Sequence, residues 1–452
     1  MDRRHLLLGL ALAVSATWPA SGQARFAIIG GGGQAAGVKL PADAPVYWSS
    51  GAASSANDGV SMKAQALAAM ARLETNITAA GCAVADVAFV RAYLKPDKAG
   101  TVDYGGWEEA WTTVFPAAST RPARTTVAMP LASERSGLIE VEYVCVSRAP
   151  AAMAAASAAL PLPVSNPALK PFGTKEGRIL AGMGVMPGSG LYWTAGLTAP
   201  VLDANAPAGS YGRRGDMRTQ ARNTLARLKE NIAGVGLTLA DVVYVRAFLG
   251  PDANQGGTFD VDAWNAAYLE FFNNPAQPHK PARVTMTSPS FASNGSRQSD
   301  TLIEIEFVAA FPKTADVFDA PAVGGAAVRV FGAPTALFAA GVAVKPGASL
   351  YLSSAAMPSR GGDMHTQARS ALESLQAGLA KAGAGFGDVA FLRAYLVANA
   401  DGTVDRDGWN QAYSAFFNNA AQPGKPGRVT IVVSSLPRAD ARIAIDVVSA
   451  VP

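Results

Sequence analysis

One arginine recurs three times in this chain in the same local setting, after a proline and a small residue and before a run of β-forming residues. The three segments are "RPARTT" (121–126), "KPARVT" (280–285) and "KPGRVT" (425–430), which contain Arg124, Arg283 and Arg428. A guanidinium group binds a carboxylate through two parallel hydrogen bonds and holds it in a fixed orientation. The proline two positions earlier restricts the backbone at the start of the strand. Each arginine is therefore predicted to lie at a fixed place at the start of a strand, and its residue type is one that is suited to holding a carboxylate.

The arginine segments lie in a longer unit that occurs three times in tandem. Each unit contains Met-x-x-Gln-Ala, a β-rich segment, an aromatic segment, the arginine segment and a closing strand, in that order. The β-rich segments are "DVAFVRAYL" (86–94), "DVVYVRAFL" (241–249) and "DVAFLRAYL" (388–396). A constant order of this kind indicates duplication of a whole domain. We predict domains at 38–149, 174–312 and 334–452, separated by Ala/Pro-rich stretches at 147–173 and 311–332 that are expected to be exposed linkers.

Hydrophobic periodicity predicts two helices and a sheet in each unit. In the first unit, apolar residues recur every three or four positions from Met62 to Ile77, which is typical of an amphipathic helix. The segment "WNAAYLEFF" (264–272) predicts a second helix with its aromatic residues in the core. In "LIEIEFV" (302–308), the isoleucines are predicted to face the helices and the glutamates to face away. The fold class is α+β, with both helices on one face of a mostly antiparallel sheet.

Taken together, these motifs resemble the Rid (reactive intermediate deaminase) family, also called YjgF. The resemblance rests on Met-x-x-Gln-Ala, "AGxxxxDVxxxRxYL", "WNxAYxxFF", "KPARVT" and the closing "IEIE", and it covers most of each unit. It implies three chorismate-mutase-like domains. Because members of this family form homotrimers with ligand clefts between subunits, we expect an intramolecular pseudo-trimer in a monomeric chain. The alternatives are three separate domains on linkers, or units that trimerise with other chains.

The resemblance also implies roles for individual residues. The motif arginines Arg124, Arg283 and Arg428 match the residue that holds the substrate carboxylate. The catalytic glutamate of the closing strand, which positions water for imine hydrolysis, matches Glu140 and Glu304. Further substrate-binding positions match Ser50, Ser354, Asn265 and Asn410.

Each unit departs from the family pattern in at least one position. The third unit has Ala444 in place of the glutamate, the second has Ala195 in place of the serine, and the first has Glu108 in place of the asparagine. A tyrosine of the family has no clear match, and Phe338 is the closest position in the third unit. Since no unit carries the complete set, residues of neighbouring units would have to complete one another's sites.

The function implied by the resemblance is a cofactor-free hydrolase that deaminates small 2-imino or enamine acids to 2-keto acids and ammonia. A different class, a non-catalytic periplasmic protein that binds carboxylate metabolites, remains open. An endoribonuclease is a weaker alternative, because the net charge is only +4 over 452 residues and no basic patch or paired-histidine site is present. We therefore expect a small carboxylate-bearing metabolite as ligand, and no nucleic acid.

The arginines also have a purely structural interpretation. A second recurrent arginine, in the β-rich segment of each unit, is predicted to be an ion-pair partner; these residues are Arg91, Arg246 and Arg393. The motif arginines could likewise bridge carboxylates between units instead of binding a ligand. The candidate carboxylates are Glu142, Glu306 and Asp446.

The first 24 residues, "MDRRHLLLGLALAVSATWPASGQA", have the basic start, short apolar stretch and small residues of an export signal. We expect a periplasmic or secreted protein, exported by a twin-arginine or a general secretory route, without stable membrane insertion after cleavage. An uncleaved anchor is the alternative. No Cys/His cluster suggests a metal site, and whether Cys82 and Cys145 form a disulfide is left open.

Overall fold

The computed structural model describes residues 26–29, 35–131, 136–147, 151, 153–154, 165–174, 176, 180–291, 300–312, 325–333 and 335–451. The predicted export signal, residues 1–24, lies outside this part of the chain. Within it, three β-sheets and six helices of eleven residues or more give a mixed α+β architecture. The predicted fold class is confirmed at that level.

Each unit contributes two helices, one from the Met-x-x-Gln-Ala segment and one from the aromatic segment. They are α1 (Met62–Ala79), α2 (Tyr104–Val114), α3 (Met217–Ala233), α4 (Val261–Phe271), α5 (Met364–Ala382) and α6 (Arg406–Phe416). A side chain caps the start of each first helix, because an oxygen there accepts a backbone N–H that has no partner in the helix. The caps are Ser61, Asp216 and Asp363. After α5, Gly383 ends the helix with a φ of 81°, a conformation that glycine adopts without strain.

Sheet 1 is built around the first unit. Its strands are β3 (Val46–Ser49), β4 (Ala52–Ser55), β5 (Val87–Leu94), β6 (Ala123–Ala128), β7 (Ser136–Val146), β8 (Leu169–Phe172) and β9 (Gly182–Val185). The order is β6-β5-β7-β3-β9-β8, and β4 pairs with β7. Only β5 and β6 are parallel; the other pairs are antiparallel.

Sheet 2 repeats this order around the second unit. Its strands are β10 (Leu191–Thr194), β11 (Leu197–Thr198), β12 (Val242–Leu249), β13 (Ala282–Thr287), β14 (Ile303–Ala310), β15 (Val328–Phe331) and β16 (Gly341–Val344). The order is β13-β12-β14-β10-β16-β15, with β11 on β14.

Sheet 3 combines the third unit with the start of the chain. Its strands are β1 (Ala27–Ile29), β2 (Gly37–Leu40), β17 (Ser349–Ser353), β18 (Val389–Val397), β19 (Gly427–Val433) and β20 (Ile443–Val451). The order is β1-β2-β17-β20-β18-β19.

The hairpin that opens each unit in the sequence is therefore paired with the sheet of a neighbouring unit. The β8–β9 hairpin joins sheet 1, β15–β16 joins sheet 2, and β1–β2 joins sheet 3 and so links the start of the chain to its last unit. Strands β8 and β15 lie within stretches that the sequence indicated as exposed linkers. That expectation is wrong for Leu169–Phe172, which is largely buried, and for Val328–Phe331, which is buried at Val328 and Arg329, because these segments pair with β9 and β16 as strands.

Four hydrophobic cores follow from this arrangement. Three lie between a sheet and its two helices, and the fourth contains residues from the opposite faces of all three sheets, including Trp48, Trp193 and Leu352. The predicted alternation on the closing strand is confirmed: Ile303 and Ile305 lie in the helix-side core, while Glu306 points into a cavity between the sheets. Cys82 and Cys145 are both free and buried.

Candidate functional site

Three buried carboxylates, one from the closing strand of each unit, belong to a closed ring of ion pairs. Each β-rich arginine lies opposite the acid of its own closing strand and also reaches the acid of a neighbouring unit. The pairs are Arg91–Glu142 (2.6 Å), Arg91–Asp446 (3.2 Å), Arg393–Asp446 (3.4 Å), Arg393–Glu306, Arg246–Glu306 and Arg246–Glu142. The prediction that Arg91, Arg246 and Arg393 are ion-pair partners is confirmed.

This ring is buried, and its charges stabilise one another. Burial opposes ionisation of Glu142, but the guanidinium groups of Arg246 and Arg91 outweigh it and lower the carboxyl pKa to about 2. Asp446 is shorter than the glutamates, and the hydroxyl of Thr125 donates to it at 2.9 Å. Since these carboxylates are bound by the β-rich arginines, the idea that the motif arginines bridge them is wrong.

The motif arginines lie instead between units, and each stacks on aromatic rings from the second helix of its own unit. The Arg283 guanidinium lies 4.5 Å from the ring centroid of Tyr268 and 5.6 Å from that of Trp264. The indole of Trp264 donates to Thr285, the last residue of the "KPARVT" segment, at 3.0 Å. The aromatic residues were predicted to be core. They are buried, and they also fix the plane of the arginine through cation–π contacts, a role that the sequence reading missed.

Cleft A is the space between the first and second units around Arg283, Asn265, Ser50, Gly51 and Glu140. Arg283 donates from Nη2 to the Asn265 side-chain oxygen at 2.9 Å, and its backbone N–H donates to the Ser50 hydroxyl at 2.9 Å. The Ser50 hydroxyl itself donates to a backbone carbonyl of the β8–β9 hairpin at 2.6 Å. Ser50 therefore holds the strand that carries the arginine. All four predicted residue types of the family set meet in this cleft, two from each unit.

Glu140 is the carboxyl group of cleft A, and only 9% of its surface is exposed. Burial raises its pKa to about 8, the charge of Glu142 adds to the increase, and Arg283 opposes it. The carboxyl passes so close to Gly51 that a Cβ there would lie 2.0 Å from Glu140 Oε1. Gly51 is a site residue that the sequence reading did not name. The sequence does contain a pattern that points to this residue. A glycine follows Ser50 and Ala195 in the two units that have the glutamate, whereas Ala355 follows Ser354 in the unit with Ala444.

Cleft B lies between the second and third units around Arg428, Glu304, Gly196, Asn410 and Phe338. The Arg428 guanidinium lies 4.7 Å from the ring centroids of both Phe338 and Tyr413. Glu304 is partly exposed; burial raises its pKa to about 7, and Arg406 is the main opposing charge. The side-chain oxygen of Asn410 and Nη1 of Arg428 have no hydrogen-bond partner among the described residues. Ala195 removes the serine hydroxyl from this cleft.

Cleft C lies between the third and first units around Arg124, Glu108, Ser354, Ala355 and Ala444. The Ser354 hydroxyl accepts the Arg124 backbone N–H at 2.9 Å, as Ser50 does for Arg283. Arg124 Nη1 forms an ion pair with Glu108 Oε2 at 2.9 Å. The position that matches the glutamate of the family holds Ala444, so this cleft contains the arginine and the serine without that glutamate.

The described residues contain no group of three or more His, Cys, Asp or Glu side chains placed to hold a metal ion. Over the same part of the chain, no helix is long and apolar enough to cross a membrane.

Comparison with known proteins adds the family. Residues 332–451 match the family model described as Endoribonuclease L-PSP. Solved structures similar to this chain include a member of the YjgF protein family from Neisseria meningitidis (22% identity, 28% of this chain and 95% of that chain, TM-score 0.21) and the YjgF gene product from E. coli (24% identity, 22% of this chain and 80% of that chain, TM-score 0.20). E. coli TdcF with bound serine is similar at 21% identity over 27% of this chain and 99% of that chain, with a TM-score of 0.21.

Identities and TM-scores this low carry no argument about activity. No curated protein matches the chain. The family match falls on the third unit, where the aromatic segment, the arginine segment and the closing strand occur in the predicted order. The resemblance found in the sequence is thereby confirmed for the third unit, because residues 332–451 match the family model described as Endoribonuclease L-PSP, the YjgF or Rid family.

Proposed function

We propose that this protein is a cofactor-free hydrolase that converts small 2-imino acids to 2-keto acids and ammonia, and that cleft A is its catalytic site. One observation carries the proposal. A carboxyl group with a pKa near neutrality, Glu140, shares a cleft with Arg283, an arginine oriented by an asparagine and by aromatic rings. A carboxylate anchor beside an acid–base group is the minimum that hydrolysis of a 2-imino acid requires.

Arg283 binds the substrate carboxylate through its guanidinium group. The contact with Asn265 and the stacking on Tyr268 fix the orientation of that group, so the adjacent C2=N bond of the substrate takes one position relative to Glu140. Ser50 holds the backbone of Arg283 across the boundary between units. The anchor and the acid–base group come from different units, so the distance between them depends on how the two sheets pack.

Glu140 is mostly protonated at pH 7, because its pKa is about 8. It donates its proton to the imine nitrogen as water attacks C2, and the resulting carboxylate accepts the proton that this water releases. In the tetrahedral intermediate, Glu140 then protonates the amino group, and ammonia leaves with the electrons of the C–N bond. The proton of the remaining hydroxyl returns to Glu140 as the ketone forms. One water is consumed, one ammonia is released, and the carboxyl is regenerated.

The three units are proposed to act as an intramolecular pseudo-trimer in a monomeric, exported protein whose partner is a small carboxylate-bearing metabolite. Support comes from the ring of ion pairs and from the hairpins paired between neighbouring units. Covalent linkage keeps the units at high effective concentration and lets each cleft diverge. Gel filtration of the mature chain tests this proposal: the mass of one chain is expected, and the mass of three chains would contradict it.

The activity is tested by ammonia release from a freshly generated 2-iminobutyrate solution, with Arg283→Ala as the test variant and Arg124→Ala as its matched control. Both arginines follow the same motif, but only Arg283 shares its cleft with a glutamate of a closing strand, because that position holds Ala444 in cleft C. We expect Arg283→Ala to reduce catalysed release by about 100-fold or more, as loss of a charge-assisted anchor does, and Arg124→Ala to have little effect. If the wild-type protein releases ammonia no faster than the spontaneous reaction but still binds carboxylates, the enzyme hypothesis is contradicted and the binding-protein hypothesis is favoured.

A further inference from the structure

We propose that one helix position, which holds Glu108, Asn265 or Asn410, determines which clefts accept a carboxylate ligand, and that Glu108 closes cleft C by occupying its arginine. This inference rests on the proposed function, since it assigns carboxylate binding to the motif arginines. It adds that the three clefts of one chain are not equivalent and names the residue that makes cleft C different.

The three residues occupy the same place relative to the motif arginine. Each directly follows the first tryptophan of the second helix, and that tryptophan lies under the arginine in every unit. In cleft A the residue is a neutral amide, which orients Arg283 without cancelling its charge. In cleft C it is a carboxylate, whose Oε2 lies 2.9 Å from Arg124 Nη1. That is an ion-pair distance, at which the carboxylate of a bound ligand would also contact the guanidinium group.

Exposure shows from which side Glu108 reaches the arginine. The Arg124 side chain is only 13% exposed, whereas the Glu108 side chain is 50% exposed. The carboxylate thus covers a buried guanidinium from the solvent side. A ligand carboxylate would have to displace it or lie beside it, and two like charges on one guanidinium repel each other. A neutral residue in the same position places no competing negative charge on the guanidinium group.

Two further differences between cleft C and the other clefts also indicate that cleft C does not bind and convert a carboxylate substrate. Ala444 replaces the glutamate, and Ala355 replaces the glycine that this glutamate requires. Cleft C is therefore altered in three positions, while its arginine is present, with its guanidinium stacked 4.5 Å from the ring of Trp111 and its backbone N–H donating to Ser354. The stacking on Trp111 and the ion pair with Glu108 give the Arg124 side chain partners within its own unit.

The test is the number of pyruvate sites per chain, measured by isothermal titration calorimetry on the full mature protein. Glu108→Asn and Glu108→Asp form a matched pair, because the two new side chains have the same shape and differ in charge. We expect Glu108→Asn to add one pyruvate site per chain, with an affinity gain at cleft C on the order of 100-fold. Glu108→Asp should add none, and the double variant Glu108→Asn with Arg124→Ala should lose the added site. The reciprocal change Asn265→Glu should remove one site.

The inference is overturned if Glu108→Asn adds no site, if Glu108→Asp adds one as well, or if Arg124→Ala removes a pyruvate site from the wild-type chain. Near-ultraviolet circular dichroism shows which variants keep the native packing; the reciprocal Asn265→Glu provides a second result if Glu108→Asn does not fold. Ammonia release by the same samples separates the two proposals. If Glu108→Asn adds a site but no sample catalyses ammonia release, this inference is supported and the proposed function is overturned. If Glu108→Asn adds no site but ammonia release depends on Arg283, this inference is overturned and the proposed function is supported.

Discussion

Replacing Glu140 by glutamine should make the protein more stable, by an amount that grows with pH. The structure buries this carboxyl in cleft A and raises its pKa from 4.5 to about 8, chiefly through burial and the nearby charge of Glu142. In the unfolded chain the group ionises at its ordinary pKa. A carboxyl whose pKa is raised by folding stabilises the folded state only while it is protonated, so its contribution is complete below pH 4.5 and is lost as pH rises through about 8.

The magnitude follows from the shift. One pKa unit corresponds to about 1.4 kcal/mol. Relative to Glu140→Gln, the wild-type chain should lose about 2.5 kcal/mol of unfolding free energy between pH 5 and 7, and about 1.4 kcal/mol more between pH 7 and 9. Glutamine has nearly the same shape and does not titrate, so the pH-dependent part of the difference reports on the carboxyl itself.

The assay is urea unfolding of both proteins at pH 5, 7 and 9, followed by tryptophan fluorescence. Glu230→Gln, a change at an exposed position of α3, is the control for a general effect of removing one carboxylate. A stability difference between wild type and Glu140→Gln that stays constant from pH 5 to 9 would refute the reasoning. The carboxyl would then titrate in its ordinary range, and its use as an acid at neutral pH would lose its basis.

Two further predictions concern the ring and the closed cleft. Arg246→Leu should lower the unfolding free energy by about 3–5 kcal/mol, since it leaves two buried carboxylates without one of their partners. The control Arg222→Leu, at an exposed ion pair, should change the unfolding free energy by less than about 1 kcal/mol. Equal losses for the two variants in urea unfolding would contradict this prediction. Ala444→Glu should cost about 1–3 kcal/mol, because a Cβ at the matching positions Gly51 and Gly196 would lie 2.0 and 2.2 Å from the glutamate oxygens, and Ala355 carries such a Cβ. Adding Ala355→Gly should recover most of that loss in thermal unfolding, and simple additivity of the two changes would show that the residues do not compete for space.

Most helices and strands of each unit can be predicted from the sequence, because they depend on the types and spacing of neighbouring residues. Apolar spacing and capping residues predict α1, α3 and α5, and the alternation in "LIEIEFV" predicts which face of β14 meets the helices. The prolines before the motif arginines correctly predict the start of the strands: β6, β13 and β19 each begin at the next residue. The β-rich arginines were predicted to be ion-pair partners, because a charged residue in the middle of an apolar strand needs a nearby opposite charge.

Other features required the tertiary structure. Nothing in "LKPF" or "VRVF" indicates that a hairpin will pair with the sheet of the previous unit, because a strand edge accepts any partner with matching backbone groups. The Ala/Pro-rich surroundings of these segments made them resemble linkers. Likewise, the space that Glu140 takes beside Gly51 depends on the pairing of β4 with β7, which short-range patterns do not report.

The sequence by itself determined the repeated unit, its α+β elements, the family resemblance and the residues whose side chains could bind a ligand or transfer a proton, since all of these depend on residue type and spacing. It also showed that no single unit carries the whole set. Only the tertiary structure decided how the units combine: Ser50 and Glu140 meet Arg283 and Asn265 in cleft A, while Arg124 meets Glu108 in cleft C. The physical reason is that each cleft lies between two units, and the contacts that form it join residues far apart in the chain.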